Sequence, residues 1–432
     1  MMNPKFFSSD LETTDPTLSL ILDCELVNLT SDLMLGPSEN LTSRAVIEAQ
    51  SSLLANRCAD SYCFSRREVI DAIEMLAVTR AKTLFNCNFV NVQPHSETQM
   101  NQAIVFALLN PGDTIMCLSL NCGGHYSHGT ASCLSGLWFN VVYYGVDCKT
   151  GLIDMSEVLD LAVLHMPKVI FAGATSYPRL IDWQRFREIA DHVGAWLVAD
   201  ISNIVGLVAA GVLPSPFPHC HIATSTTHKS LRGPNGGLIM TNDEFLFEQV
   251  SIALSPILQG GPLPNILAAK AVAFLEATTP EFKEWAKSTV SAAKALSSRF
   301  MQRGLSVISG GTDNHSVLVD LRPLHLTESD AELALNSCYI VANRDISYDV
   351  DEFPGCSNTV LRIDTCSAVT RGISEAQFTT LANLIVAILF EMSWYGFVTS
   401  ALKDITRKFV FRLASICPIL YPASCAMLGM CR

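Results

Sequence analysis

The chain has 432 residues, of which 49% are hydrophobic and 16% charged, which suits two or three packed domains. Its formal net charge of −12 excludes the basic surface that holds nucleic acid or an anionic membrane, so small-molecule chemistry is expected. The 15 cysteines are scattered without repeated CxxC pairs, and a chain this long needs no disulfides. We therefore expect buried thiols in a reducing, cytoplasmic compartment. Residues 1–16 show no signal or transit pattern.

The first part of the chain predicts an arm followed by an α/β domain. Residues 1–45 show no domain pattern and are predicted to form the arm. Over residues 46–275, short apolar runs typical of buried strands alternate with amphipathic runs typical of helices, which predicts a mainly parallel sheet in a large cofactor-binding domain. The predicted strands lie in residues 83–93, 114–120, 138–145, 168–174, 195–202, 222–227 and 238–242, and the predicted helices include 68–85 and 183–194.

After residue 275 the pattern changes to a long helix over 281–304, two short apolar runs and further helices, which predicts a smaller α+β domain over residues 276–432. Residues 378–402 hold one formal charge and are long enough to span a bilayer. Their polar residues leave an apolar face at helical spacing, so we expect a buried or interface helix. A membrane span is the alternative.

One lysine, Lys229, lies between a run of hydroxyl residues and a glycine-rich turn in the stretch TSTTHKSLRGPNGG, residues 224–237. A lysine amine is a useful nucleophile only when its surroundings keep it unprotonated or condensed with a carbonyl. The loop follows a predicted strand and places Thr226 and His228 beside the lysine, so it can carry such a site. A solvated surface turn is the alternative.

The stretch around Lys229 resembles the lysine motif of glycine/serine hydroxymethyltransferases, pyridoxal phosphate enzymes of the aspartate aminotransferase fold type. The resemblance implies fold type I, with a mainly parallel central sheet in the large domain and a smaller α+β domain at the C-terminus. It extends in the same order over nearly the whole chain, through PSEN (37–40), NVQPHSETQMN (91–101), LNPGDTI (109–115), GGHYSHG (123–129), VGLVAAGV (205–212), LQGGPL (258–263), SGGTDNHSVLVDLRPL (309–324) and TRG (370–372).

The resemblance implies how pyridoxal phosphate is bound. Lys229 would form the Schiff base, Asp200 would pair with the pyridine nitrogen and His125 would stack on the ring. An acid at the end of a parallel strand suits this role, because the crevice of an open sheet lies there. A helix cap for Asp200 and an ordinary loop position for His125 are the alternatives. The other implied cofactor residues are Glu97, Thr98, Thr175, Asn203, His228, Gly260 and Gly261.

On the substrate side, Arg362 matches the arginine that clamps the α-carboxylate, a task that suits the guanidinium fork. A structural salt bridge is the alternative for Arg362. Ser38 corresponds to a residue near the same carboxylate, and Cys58 stands where the family has a tyrosine near the cofactor phosphate and the substrate. Asp60 replaces the glutamate used as an acid/base group in folate-dependent transfer, and joins Lys229, His125 and Thr226 as a candidate catalytic residue.

Several residues depart from the family pattern. Glu97 stands where the family has a glycine in its phosphate-binding stretch, so its carboxylate would repel the anion if it pointed there. Asn203 replaces a histidine beside the ring and cannot titrate near neutral pH. Asp345 falls where the family places an asparagine against the folate pterin, and an aspartate accepts but does not donate. The stretch 56–74 is a few residues shorter than in the family.

The sequence therefore predicts a pyridoxal phosphate enzyme that makes or breaks the Cα–Cβ bond of a β-hydroxy-α-amino acid. In the parent reaction serine and glycine are interconverted with tetrahydrofolate. A folate-independent threonine-type aldolase or transaldolase, using another aldehyde, is one alternative, and a catalytically weak paralogue acting as a partner or regulatory subunit is the other. The backbone of Gly260 and Gly261 reaches a neighbouring subunit in the family, which implies a homodimer or homotetramer. We expect no nucleic-acid, membrane or metal partner.

Overall fold

The computed structural model describes residues 5–37, 39–59, 67–344 and 359–416. The helices are α1 Lys5–Ser8, α2 Leu11–Thr14, α3 Pro16–Ser31, α4 Arg44–Gln50, α5 Glu68–Phe85, α6 Glu97–Leu108, α7 Leu134–Trp138, α8 Met155–His165, α9 Trp183–Val193, α10 Val205–Ala209, α11 Glu244–Ile252, α12 Pro264–Glu276, α13 Pro280–Gln302, α14 Glu328–Asn336, α15 Cys366–Thr370, α16 Glu375–Tyr395 and α17 Ser400–Ile416. The strands are β1 Leu33–Met34, β2 Phe89–Asn91, β3 Thr114–Leu118, β4 Asn140–Tyr144, β5 Val169–Gly173, β6 Trp196–Asp200, β7 Ile222–Thr226, β8 Gly237–Thr241, β9 Ser306–Val307, β10 Ser316–Asp320, β11 Ile340–Val341, β12 Asn343–Arg344 and β13 Val360–Asp364.

The larger sheet of the described residues has the strand order β2-β8-β7-β6-β5-β3-β4. The strands from β7 to β4 pair in parallel, while β8 runs antiparallel to both of its neighbours, β2 and β7. Helices such as α8 and α9 connect successive parallel strands, as crossover connections require. The predicted α/β fold with a mainly parallel central sheet is confirmed.

Alternate residues of the central strands face two separate hydrophobic cores. On β5, Val169 and Phe171 belong to the core beneath helices α6 and α11, whereas Ile170 and Ala172 belong to the core shared with α9. This division follows from the period of two in a strand, and it explains why the sequence shows nearly continuous apolar runs. The sheet is therefore covered by helices on both faces, and its strand ends remain for a site.

The predicted strand over 83–93 is wrong in its first half. Residues Thr83 to Phe85 complete helix α5, which ends at Asn86 in a left-handed conformation with φ 51°, and β2 begins only at Phe89. Phe85 is the last residue of the amphipathic helix pattern and is buried. Packing of the helix therefore outweighs the local β propensity of the apolar run. The predicted helix over 68–85 has the observed bounds, and strands β3 to β7 lie within their predicted runs. Strand β8 begins one residue before its run, at Gly237.

The second sheet has the order β12-β13-β10-β9 and is antiparallel throughout. Its register pairs Ser316 with Asp364 and Leu318 with Arg362. Helices α13 and α16 pack against one another in this part of the chain, and α13 also contacts β10. Strand β1 pairs in parallel with β11, which ties the predicted arm to this region. The domain boundaries at residues 45 and 275 stay predictions.

Helix α16 is long and apolar enough to cross a membrane by length and composition, and within the described ranges it is the one helix that passes this test. It contacts α13 and α14 and buries one face in the large core. The predicted helix over 378–402 is divided, because α16 ends at Tyr395 with Gly396 as its left-handed cap at φ 73°, and α17 begins at Ser400. The residues on the buried face are Phe378, Leu381, Ala382, Ile385, Val386, Ile388 and Leu389.

Candidate active site

Three adjacent parallel strands end beside predicted site residues. Strand β6 ends at Asp200, β7 ends at Thr226 three residues before Lys229, and β5 ends at Gly173 two residues before Thr175. The carboxyl edge of an open parallel sheet is where its binding crevice lies. The structure thus collects these residues at one edge of the central sheet.

Asp200 is a buried carboxylate with three hydrogen-bond donors. Its Oδ2 accepts from His128 Nε2 at 2.9 Å and from Asn101 Nδ2 at 3.0 Å, and its Oδ1 accepts from the backbone amide of Ser202 at 3.0 Å. Burial opposes ionisation, but the hydrogen bond and charge of His128, with His125 and Ser202, outweigh it and lower the pKa of Asp200. Asp200 is not the cap of the next helix, because Ile204 holds that position.

The amine of Lys229 lies 2.9 Å from Oε2 of Glu97 and is only 7% exposed. Glu97 is the first residue of helix α6, where the helix dipole favours a negative charge. The other oxygen of Glu97 lies 3.3 Å from Nε2 of His125. The carboxylate of Glu97 therefore lies inside the site, in contact with the amine of Lys229. The solvated surface turn considered for Lys229 does not describe this loop.

The histidines beside Lys229 resist protonation. Burial is the main cause that lowers the pKa of His125, whose Nδ1 lies 2.7 Å from the hydroxyl of Ser127. Burial, followed by the charge of Lys229, lowers the pKa of His228 to about 4. His228 Nδ1 is buried and has no hydrogen-bond partner in the described part of the chain. Both imidazoles are therefore neutral at physiological pH, which leaves Glu97 as the counter-charge of Lys229.

Arg362 is buried and its guanidinium is held by protein groups. Nε donates to Oδ1 of Asp364 at 3.0 Å and Nη2 donates to Oδ2 at 2.7 Å, which is a bidentate pair. Nη2 also donates to Asn203 Oδ1 at 2.9 Å, and Nη1 donates to the carbonyl of Thr175. The salt bridge considered as the alternative for Arg362 is thus present.

The other predicted residues are more dispersed. Thr226 is buried and donates to the carbonyl of Ser202 at 3.3 Å, so its hydroxyl supports the strand end. Thr98 is exposed in the first turn of α6, and Cys58 is exposed in the segment before the gap at residue 60. Thr175 has a buried Oγ1 with no partner among the described residues. Ser38, Asp60 and Asp345 lie outside the described residues.

Gly260 and Gly261 lie on a separate open cleft of about 440 Å³. The carbonyl of Gly261 contacts Nε2 of His95 at 3.1 Å, two residues before Glu97. These glycines therefore approach the start of α6 from outside the cluster around Lys229. Other residues that line the cleft are Ala59, Arg67, Glu74, Phe89 and Gln93.

Comparison with known proteins decides the family. A family model described as serine hydroxymethyltransferase matches residues 11–385. A serine hydroxymethyltransferase of Rhizobium rhizogenes is 50% identical over 389 residues, covering 89% of this chain and 90% of the relative. One of Bartonella tribocorum is 49% identical over 390 residues, covering 89% of each chain. The chain belongs to the serine hydroxymethyltransferase family. This membership confirms the resemblance and the prediction of a pyridoxal phosphate-dependent hydroxymethyltransferase, with tetrahydrofolate as co-substrate.

The parent reaction of the serine hydroxymethyltransferase family is therefore the prediction that holds for this chain. The comparisons support serine/glycine interconversion, and they do not favour the folate-independent aldolase or the weak regulatory paralogue. The roles given to individual residues stay predictions. The hydrogen-bonding groups and charges of these side chains can be compared with those that pyridoxal phosphate needs.

The residues at the ring end of this serine hydroxymethyltransferase site fit pyridoxal phosphate. The pKa of the buried Asp200 is lowered by its donors and that of His125 is lowered by burial, and the buried Oγ1 of Thr175 and Nδ1 of His228 have no partner among the described residues, so a ligand can supply one. The phosphate end fits less well, because Glu97 places a carboxylate at the helix start that would otherwise attract an anion. The described residues thus fit the ring better than they fit the phosphate.

Two partners of Asp200 were missed by sequence reasoning. His128 stacks on Phe171 with ring centroids 4.6 Å apart, and it lies three residues after His125 in the same motif. Asn101 is fully buried on α6, four residues after Glu97 and so on the same face of the helix. The signal that could have found Asn101 is a polar residue at a position where the helix pattern requires an apolar one.

Asp364, the partner of Arg362, was also missed. It lies two residues further along β13, and side chains two apart on a strand point to the same face. That spacing alone predicts the contact once the segment is known to be a strand.

Proposed function

We propose that the cluster around Lys229 is the site at which this chain interconverts serine and glycine. One observation supports the proposal above the others: a buried aspartate, Asp200, ends one parallel strand, and a buried lysine, Lys229, lies three residues after the end of its neighbour. Pyridoxal phosphate needs these two groups, one to bind its aldehyde and one to face its ring nitrogen. A structural ion pair alone explains neither the position of Asp200 nor the neutral histidines beside Lys229.

Bound pyridoxal phosphate supplies an electron sink for bond cleavage at the amino acid Cα. Lys229 would hold it covalently, and Asp200 would keep a proton on the pyridine nitrogen, because the three donors on its carboxylate keep it ionised. His125 would cover the ring, and Thr175 would donate from its buried hydroxyl. The remaining cofactor contacts are proposed for Thr98, Asn203, His228, Gly260 and Gly261, and Glu97 would lie beside the phosphate and weaken its binding.

The proposed substrates are a small amino acid and a folate one-carbon carrier. Arg362 would bind the α-carboxylate, since a buried guanidinium binds carboxylates bidentately. Ser38 and Cys58 are proposed as further substrate-binding residues. Asp60 would act as the acid/base group of the folate-dependent transfer. The shorter reach of aspartate compared with glutamate makes its position on the shortened segment decisive.

We further propose a homodimeric or homotetrameric assembly in the cytoplasm. Apolar side chains are exposed on the elements that line the cleft of Gly260 and Gly261. Ile252 lines the cleft and is 56% exposed, and Val69 and Met75, on helix α5 with other lining residues, are 64% and 65% exposed. Exposed apolar groups gathered around a cleft are typical of a subunit interface. Sedimentation equilibrium of the purified protein measures the assembly, and a monomer at micromolar concentration would contradict this part of the proposal.

The activity is tested by incubating the protein with pyridoxal phosphate, tetrahydrofolate and serine, and by measuring glycine formed. The wild type should produce glycine only when both additions are present. K229A should abolish both the visible absorption of lysine-bound cofactor and the activity, because no other amine replaces a covalent attachment. The matched control is K168A, since Lys168 forms an exposed pair with Asp113 at 2.6 Å.

Different failures have different meanings. Glycine formed from serine without tetrahydrofolate would favour the aldolase alternative. A wild-type protein that stays colourless in excess pyridoxal phosphate and forms no glycine would contradict the proposed function as a whole.

A further inference from the structure

The arginine proposed to bind the substrate already binds a carboxylate of its own chain. Arg362 and Asp364 are both buried, with side-chain exposures of 1% and 3%. Two of the guanidinium nitrogens, Nε and Nη2, face the two oxygens of Asp364 in the fork geometry that an α-carboxylate would use. An incoming carboxylate therefore meets an arginine whose bidentate edge is occupied.

The surroundings of this pair include a second basic group on Asp364. Nε2 of His315 lies 3.4 Å from Oδ2 of Asp364. Burial opposes a charge on His315, but Cys366 and Asp364 outweigh burial and raise its pKa to about 10. Arg362 and His315 are thus two basic groups that contact the one carboxylate of Asp364. His315 can therefore retain Asp364 when the arginine releases it.

Asn203 and Ser316 complete the setting. Asn203 accepts from Nη2 of Arg362 at 2.9 Å, and the hydroxyl of Ser316 lies 3.3 Å from the same nitrogen. Ser316 faces Asp364 across the register of β10 and β13. These neutral groups orient the guanidinium but do not neutralise its positive charge. Asp364 is therefore the carboxylate with which a substrate must compete.

We propose that Asp364 is an intramolecular competitor of the substrate α-carboxylate at Arg362 and lowers the affinity of this site for amino acids. The proposal rests on the proposed function, since it assumes that Arg362 is the carboxylate site. Asp364 moves toward His315 when an amino acid binds and returns when it leaves. It is a specificity-determining residue, because it favours ligands that gain more than one contact to the cluster over those that offer a carboxylate alone.

The size of the effect follows from the bonds that must be exchanged. A hydrogen bond to a charged group contributes about 1.5–3 kcal/mol, which corresponds to a factor of about 10 to 100 in a binding constant. Removing Asp364 should tighten glycine binding by about that factor, with a lower KM for serine and little change in kcat, because the competition affects ground-state binding.

The experiment compares wild type with D364N and D364G in the cofactor-loaded protein. Glycine binding is measured by calorimetry and by the change in visible absorption. We expect D364G to bind glycine most tightly, D364N less tightly and wild type most weakly. In addition, acetate should raise the thermal unfolding temperature of D364G and not that of wild type, since it fills the vacated carboxylate position.

The control is D320N. Asp320 forms the same kind of fork with Arg322, at 2.9 Å to both Nε and Nη2, on the neighbouring strand β10. It lies four residues from Ser316, at the other end of that strand, so its loss should leave glycine affinity unchanged. A gain of affinity in D320N equal to that in D364N would overturn the proposal, because the effect would then be one of net charge.

Further outcomes also decide the proposal. Folded D364N and D364G that bind glycine no better than wild type would show that Asp364 orients Arg362, which overturns it. If the single variants do not fold, H315N/D364N keeps the net charge of the cluster and is measured instead. If this double variant also fails to fold, the fold requires the contact between Asp364 and Arg362. Asp364 could then not leave Arg362 when substrate binds, and the proposal would be overturned. Absence of glycine formation by wild type contradicts the proposed function and leaves this binding measurement unaffected.

Discussion

The carboxylate of Glu97 lies 2.9 Å from the amine of Lys229, so the lysine of the site carries an internal counter-ion. The pair is nearly buried, with 7% and 13% of the two side chains exposed. An ammonium ion that donates to a carboxylate is not a nucleophile, and it must lose this contact and a proton before it attacks an aldehyde. Cofactor binding therefore competes with a contact inside the chain.

We expect E97G and E97Q to bind pyridoxal phosphate about 10 to 100 times more tightly than wild type, because one charged hydrogen bond no longer has to be exchanged and the phosphate meets no repulsion. Titration with pyridoxal phosphate, followed by visible absorption and by equilibrium dialysis, measures the affinity. E276Q is the control, since Glu276 is a carboxylate outside this pair. It accepts a hydrogen bond of 2.5 Å from the hydroxyl of Ser43. Weaker cofactor binding in both Glu97 variants would show that Glu97 supports the site.

The bond between His128 and Asp200 predicts the response to acid. The pKa of Asp200 is lowered in the folded protein, so its contribution to stability is present above its unfolded value of 3.8 and is lost as the pH falls below it. H128L removes a donor from this buried carboxylate. It should lower the free energy of unfolding at pH 7 by about 2 kcal/mol and shift acid unfolding to higher pH.

Urea unfolding over a series of pH values tests this expectation. H165L is the control, since His165 is an exposed residue of helix α8. Identical acid unfolding of wild type and H128L would rule out His128 as the group that keeps Asp200 ionised.

His315 predicts a response of opposite sign at alkaline pH. Its pKa is raised from 6.5 to about 10, so its contribution to stability is complete below 6.5 and is lost as the pH rises through 10. At neutral pH, H315N should unfold with a free energy about 3 kcal/mol lower than that of wild type, because Asp364 loses a buried partner. The difference should shrink steadily toward pH 10. A difference that is constant over this range would exclude a charged His315.

Lys270 braces the chain that precedes Glu97. Its buried Nζ donates to the carbonyls of Val92 at 2.6 Å, Pro94 at 3.0 Å and Gly237 at 2.9 Å. K270M leaves these acceptors unsatisfied and should lower the free energy of unfolding by about 3 kcal/mol. K287M should change it by less than about 0.5 kcal/mol, because Lys287 is exposed.

Burial also lowers the pKa of Lys270 to about 7 from an unfolded value of 10.5. The unfolded chain therefore binds more protons between these values, and wild type should gain stability relative to K270M as the pH rises from 7 toward 10.5. Thermal unfolding at a series of pH values checks this sign. A relative stability that does not change over this range would show that Lys270 stays charged in the folded protein.

Much of the fold could be predicted because its signals are local. Helix α5 and strands β3 to β8 follow from hydrophobic periodicity within a few residues. The candidate roles of Lys229 and Asp200 follow from short motifs that occur in the family order along the chain. The one strand placed too early, over 83–93, lies where an amphipathic helix and an apolar run overlap. There the packing of Phe85 decided between two local patterns.

The charge pairs of the site are a product of folding. Glu97 and Lys229 are 132 positions apart, and Asn101 and Asp200 are 99 apart, so no local pattern indicates that they meet. The order and type of the elements depend on neighbouring residues, and the chain alone specifies them. Which carboxylate faces which cation depends on how the parallel strands align their ends and on where helix α6 begins. That alignment places the carboxylate of Glu97 on the amine of Lys229, where it competes with the cofactor.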